Sequence, residues 1–157
     1  MKGVVVIDTN LLVLLVVGSA SRNYIQKHKR LSDYTPEDFD LLGLILSEFS
    51  EIVFLPHILA EVSNIARQID FPAKRQVQAA FRVLVTTCVE FPVQSISGVQ
   101  REEFGRVGLT DAVILHFLAL NANGINPTLL TSDTELANLA QSLGYSVIDY
   151  RREFLSN

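Results

Sequence analysis

The chain has no tryptophan, a single cysteine and a single methionine, and charged residues make up only 19% of it. One cysteine, Cys88, excludes an intrachain disulfide and any Cys-rich zinc site. It stands in an apolar run, which predicts a buried, inert thiol. Charge of neither sign dominates. The net charge of −4 gives no global attraction to nucleic acid. Four carboxylates holding cations would leave a near-neutral remainder, −4 + 4 = 0. No apolar run reaches the ~20 residues of a membrane span. The longest unbroken one is Leu11 to Val17. Met1-Lys2, the apolar stretch to Val17 and Gly18-Ser19-Ala20-Ser21 imitate a signal peptide, but Asp8 and Asn10 interrupt its apolar core. The expectation is a cytoplasmic protein with no membrane association. Also missing are a Gly-rich phosphate loop, a Ser/His/Asp arrangement and an aromatic-basic RNA-recognition stripe. There is no internal repeat. What remains, at 157 residues and 48% apolar content, is an ordered single domain spanning 1–157 with a sizeable core.

The chain opens on KGVVVIDTN. Val4 to Ile7, rich in β-branched residues, suits a strand buried on both faces, ending in Asp8, Thr9 and Asn10. Leu11 to Val17 predicts a helix capped by Thr9 or Asn10 and ended by Gly18. Ser19 to Asp33 reads as a loop or short exposed helix carrying Arg22, Lys27, His28, Lys29 and Arg30. Thr35-Pro36-Glu37-Asp38 starts a helix to about Ser50. A strand at Ile52 to Leu55 follows, then a helix from Pro56 to about Asp70 with one apolar stripe. Glu61 lies on the edge of that stripe, roughly 90–100° from its centre. Pro72 begins a helix to about Val85, and Thr86 to Phe91 is ambiguous between helix end and short strand. Pro92 to Gly108 reads as a connection with a short helix. Thr110 caps an apolar helix from Asp111 to about Ala122, stopped by Asn123-Gly124. Strands at Thr128–Thr131 and Ser146–Ile148 flank a helix from Ser132 to Leu143, with Gly144 as its cap. A turn or short helix covers the rest. Strands interleaved with helices predict an α/β fold, a parallel four- or five-stranded sheet flanked by helices.

Asp8, Asp111 and Asp133 mark strand ends or helix starts, and Glu61 lies one turn past Pro56. Each has an ordinary explanation. Asp8 suits a helix cap, Asp133 sits in a capping box with Ser132 as N-cap and Glu135 at N3, Asp111 suits the helix dipole, and Glu61 suits an exposed face. Together they are more informative, because helices that follow parallel strands start at the sheet's carboxyl edge, where ligands bind. Two carboxylates ~4 Å apart repel by about 4 kcal/mol at an effective dielectric of 20. Oxygen-only donors favour Mg²⁺ or Mn²⁺ over Zn²⁺, and such an ion works alongside phosphates. His57 and His116 read as packing residues and His28 as a surface residue.

VVVIDTNLLV at the start, Glu61 within LAEVSNIA, Asp111 within GLTDAVILHFLAL and LLTSDTELANLAQSLGYSVI together resemble the PIN domain family. The resemblance implies a PIN-like three-layer sandwich and ribonuclease activity dependent on one or two Mg²⁺ or Mn²⁺ ions. The matching acids are Asp8, Glu61, Asp111 and Asp133. It further implies that Asn10 and the Thr131/Ser132 pair support the site without holding metal. Many small members are the toxins of toxin–antitoxin pairs, resembling VapC, so RNA substrate, an antitoxin protein and a homodimer are the expected partners. The Ser19 to Pro36 segment is longer here than in compact toxins. Arg22, Lys27, Lys29 and Arg30 are candidate phosphate contacts, with Lys74, Arg75, Arg101 and Arg106 as further ones. Two rival readings stay open. One is a non-catalytic PIN-like scaffold that binds RNA or protein. The other is a haloacid-dehalogenase-like phosphatase, against which Asn10 stands where a second acid belongs.

Overall fold

The computed structural model describes residues 2–120 and 126–155. Strand β1 (Lys2–Ile7) occupies the centre of the molecule, with Val5, Val6 and Ile7 fully buried. On one side it pairs with β2 (Phe49–Phe54), which pairs in turn with the two-residue β3 (Val89–Glu90). On the other side it pairs with β4 (Thr128–Thr131), which pairs with β5 (Ser146–Asp149). The sheet is five-stranded and all-parallel, in the order β3-β2-β1-β4-β5. The order reverses between β1 and β4, so the switch point lies where their carboxyl ends open. Parallel strands need crossovers, and the helices that supply them flank the sheet. This is the α/β architecture expected from the alternation of strands and helices.

Eight helices connect these strands among the described residues. They are α1 (Thr9–Ala20), α2 (Pro36–Ser47), α3 (Pro56–Ala66), α4 (Ala73–Thr87), α5 (Ser95–Val99), α6 (Phe104–Val107), α7 (Leu109–Ala119) and α8 (Thr134–Ser142). Helix α1 is apolar on most of its circumference because other helices cover it. Gly18 permits the closest approach, since a Cβ there would fall 2.3 Å from the Phe39 ring of α2. The helix therefore runs past Gly18 to Ala20. Helix α2 begins as its sequence predicts. Thr35 Oγ1 accepts from the Asp38 backbone N–H at 3.3 Å, and the Asp38 carboxylate accepts from the Thr35 N–H at 2.8 Å.

Four further boundaries differ from expectation for physical reasons. Helix α2 stops at Ser47, not Ser50, because Phe49 is buried and pairs in register with Lys2, so β2 starts earlier. Helix α3 stops at Ala66, not Asp70. Its last carbonyls are taken by His28, whose Nε2–H donates to Ile65 O at 3.1 Å and Ala66 O at 3.0 Å. Helix α7 starts at Leu109 with Gly108 at φ +84° before it, so Thr110 is not its cap. The stop placed at Asn123-Gly124 lies outside the described residues. Asp133, not Ser132, is the N-cap of α8, accepting from the Leu136 N–H at 3.1 Å.

His28 is only 2% exposed and is not a surface residue. Carbonyls can only accept, so Nε2 carries the proton, and Nδ1 accepts from the Arg30 N–H at 3.1 Å. This neutral tautomer agrees with a pKa held below 6.5, first by burial. The Ser19–Asp33 segment is therefore no free loop. A 3₁₀ turn (Arg22–Lys27) sends Ile25, and Leu31 beyond it, into the core. Cys88 is half-buried, and burial pushes its thiol pKa up. Among the described residues, no helix is long and apolar enough to cross a membrane.

Candidate active site

Asp8 follows β1 at the switch point and is 7% exposed. Its backbone N–H donates to Leu130 O of β4 at 3.0 Å, so the sheet ladder itself fixes its place. Its side chain caps α1, where Thr9 or Asn10 was expected, because both of those residues lie inside the helix. Oδ1 accepts from the Thr9 N–H at 2.7 Å, and Oδ2 accepts from Thr131 Oγ1, also at 2.7 Å. The Thr131 hydroxyl also accepts from the Asp133 N–H at 3.0 Å. One fully buried threonine thus ties Asp8 to the backbone of Asp133 across the ends of β1 and β4.

Two more threonines reach Glu61. Thr9 Oγ1 donates to Glu61 Oε2 at 3.0 Å, and Thr110 Oγ1 donates to Oε1 at 2.6 Å. Glu61 is exposed, yet both its oxygens are held from α1 and α7. Thr110 precedes Asp111, so this bond also links α3 to the first turn of α7. Asp8, Glu61, Asp111 and Asp133 come from four different elements and meet at one edge of the sheet.

Their electrostatics follow from that convergence. Asp111 has its pKa pushed up to about 7, by burial first and then by Asp8, Asp133, Glu61 and Glu135, all acids. Asp8 is raised by burial, against the hydrogen bonds from Thr131 and Thr9, with Asp133 and Glu61 adding to the rise. The oxygen-only donor set and this uncompensated charge fit a hard divalent cation. Among the described residues, no three acid, histidine or cysteine side chains are drawn tightly enough around one point to form a ready-made cage. Mutual repulsion of like charges favours such an open arrangement.

The supporting residues divide. Thr131 and Ser132 are buried at the site, and Ser132 Oγ accepts from the buried Tyr34 hydroxyl at 2.7 Å. Arg151 donates to Ser132 O at 3.2 Å and to Asp33 at 3.2 Å. Asn10 is exposed, and its side chain makes no hydrogen bond among the described residues. Of the proposed cations, Arg22 forms a two-pronged pair with Asp40, Arg101 pairs with Glu103, and Arg106 pairs with Glu135. Lys27, Lys29 and Arg30 are exposed. His57 Nε2 lies 2.7 Å from Ser95 Oγ.

Sequence reasoning missed Thr9, Thr110 and Tyr34. Both threonines neighbour an acid in the chain, which was the available signal. Tyr34 had none, because its partner is 98 positions away. The fold and this site define a parallel α/β domain with an acidic cleft at its switch point. Comparison with protein families, curated proteins and solved structures returned no match.

Proposed function

We propose that the chain is a divalent-metal-dependent endoribonuclease of the PIN type. The observation that carries this reading is the convergence of Asp8, Glu61, Asp111 and Asp133 at the switch point, where Thr131 ties Asp8 to Asp133 and Thr9 and Thr110 hold Glu61. Asp8, Asp111 and Asp133 would hold one or two Mg²⁺ or Mn²⁺ ions, with Glu61 beside them. A bound ion of this kind supplies an activated water and neutralises charge on the reacting phosphate. Thr131 orients Asp8 by fixing Oδ2, and the Thr9 N–H fixes Oδ1. Thr9 and Thr110 hold Glu61 in one rotamer, so its exposed carboxylate can accept a hydrogen bond from the attacking water. Tyr34 orders Ser132 next to Asp133.

The test is cleavage of a labelled single-stranded RNA by protein free of contaminating RNase. Cleavage with Mg²⁺ or Mn²⁺, its loss in EDTA and its loss in Asp8→Asn are expected. Undiminished cleavage by Asp8→Asn overturns the reading. Calorimetric titration with Mn²⁺ separates it from a non-catalytic scaffold, since a scaffold has no reason to bind the ion. The finer proposal, a toxin paired with an antitoxin, is tested by coexpression with the product of any small neighbouring reading frame. Relief of growth arrest and a stable complex are expected. A wild-type chain that leaves growth unaffected argues for a nuclease outside such a pair.

A further inference from the structure

All thirteen lysines and arginines lie among the described residues, and they fall into two groups. Lys2, Arg22, Arg101, Arg106, Arg151 and Arg152 are paired with acids. The other seven have no acidic partner among the described residues, and they are gathered on one side of the molecule. Lys27, Lys29 and Arg30 lie beside His28, which pins that segment to the end of α3. Arg67 follows α3, and Lys74, Arg75 and Arg82 belong to α4.

Three adjoining clefts take in five of them, while Arg30 and Arg75 neighbour Lys29 and Lys74 in the chain. One, of about 370 Å³, is lined by Lys29, Arg67 and Lys74 together with the polar Asn64 and Gln68. A second shares Arg67 with it and adds Arg82. A third shares Ile69 and Asp70 with it and adds Lys27. From Val62 to Val89 the chain carries four cations and a single acid, Asp70. A protein of net charge −4 therefore presents a continuous cationic band. Self-repulsion among so many like charges is relieved when a polyanion neutralises them.

We propose that this band holds the phosphodiester backbone of single-stranded RNA whose scissile bond lies at the acidic cleft. The proposal rests on the nuclease reading for that last clause. Helix α3 joins the two features. Glu61 stands at the cleft, and Arg67 lies six residues further, about 9 Å along the axis. Asn64 and Gln68, between and beside them, offer amide donors and acceptors that suit phosphate and sugar. Two of the clefts mix these cations with apolar residues, among them Val77 and Phe81 in one and the exposed Phe71 in the other. Cations placed away from the acids also resolve an electrostatic conflict. An RNA strand approaching four carboxylates is repelled, and attraction must come from elsewhere along its path.

The experiment measures anisotropy of a fluorescent single-stranded RNA bound by the full chain carrying Asp8→Asn, in EDTA, where no cleavage occurs. Adding Arg67→Gln and Lys74→Gln should weaken binding about tenfold or more at 0.1 M salt. It should also lower the slope of log K against log salt by about 1.4, or 0.7 for each lost contact. Lys2→Gln with Arg152→Gln, an equal change in net charge, should leave binding within about twofold. Equal weakening by both pairs, or by neither, overturns the band. Capture of poly-glutamate without capture of RNA assigns the band to an acidic protein and overturns it too. If the wild-type chain shows no metal-dependent cleavage but the band pair selectively loses RNA, the nuclease reading falls and the band stands. If cleavage is present and its KM is unchanged in the band pair, the band falls and the nuclease reading stands.

Discussion

Asp8 and Asp111 belong to the same acidic cleft, yet the fold treats them differently. Asp8 sits at the junction of β1 and β4, with both oxygens engaged, one by a backbone N–H and one by the Thr131 hydroxyl. Asp111 sits in the first turn of α7, half-buried, and no hydrogen bond reaches its side chain among the described residues. The charges acting on it are acidic, and its pKa rises to about 7. The strand half of the cleft is therefore built into the sheet ladder. On the helix side Glu61 is held by two threonines, but Asp111 is left with no donor and only acids around it. Carboxylates of equal intrinsic acidity acquire different roles because hydrogen-bond donors reach Asp8 and not Asp111, the Thr110 hydroxyl beside it being directed to Glu61.

Loss of Asp8 is the strongest test of this difference. Asp8→Asn keeps an oxygen to accept from the Thr9 N–H, so the fold should survive, seen as an unchanged circular dichroism spectrum. RNA cleavage should fall roughly a hundred- to a thousandfold, the scale seen when one electrostatic group of a site is removed. Thr131→Val comes next. It frees Asp8 Oδ2 and the Asp133 N–H together, and cleavage should drop about 10- to 100-fold, as when a residue orienting a ligand is lost. An unchanged rate would mean that the strand half is not preorganised by Thr131.

Asp111→Asn should do the opposite to stability. Removing a crowded, partly buried charge should stabilise the metal-free protein at pH 8 by about 1–3 kcal/mol, read by urea unfolding, while cleavage is lost. Asp8→Asn stabilising more than Asp111→Asn would erase the contrast between the two halves.

The smallest effect is in the pH profile of metal-free stability. Asp111 has a folded pKa of about 7 against an ordinary 3.8, so the folded state holds its proton more tightly between those values. Its contribution to stability is then lost as pH rises from about 4 to about 7. Asp8, also raised, acts in the same direction. His28 acts in reverse. Its folded pKa lies below 6.5, so the stability it contributes is present above that pH and is lost as pH falls. Asp111→Asn should flatten the acid limb and expose the His28 limb, measured as Tm against pH. A profile identical to that of the wild-type chain would show that Asp111 is not strained.

Much of the fold was legible in the sequence. β1, the Thr35-Pro36 helix start, α8 and the parallel sheet each follow from local signals, namely β-branched runs, caps and apolar periodicity. Legibility failed where a distant residue decides a boundary. Nothing near Ala66 in the sequence says that α3 stops there, because the imidazole that takes its last carbonyls comes from residue 28. The Lys27–Arg30 run looked like a solvated loop, since periodicity cannot show that His28 is buried by another helix. The assigned cap of α7 failed because the Thr110 hydroxyl is drawn to Glu61 and not to its own backbone. The four acids were readable as types and positions. The threonines that connect them were not, because threonine is common and its partner is set by the fold.

The sequence alone determined which segments become strands and helices, and that carboxylates follow β1 and β4 and open α7. Those facts depend on residues near one another in the chain, where steric preference, capping and hydrophobic period act. Only the tertiary structure decided that Thr131 belongs to Asp8, that Glu61 is held from two helices, and that the unpaired cations share one side. Hydrogen bonds and Coulomb interactions depend on distance in space, and parallel pairing brings residue 8 beside residue 131 irrespective of what lies between.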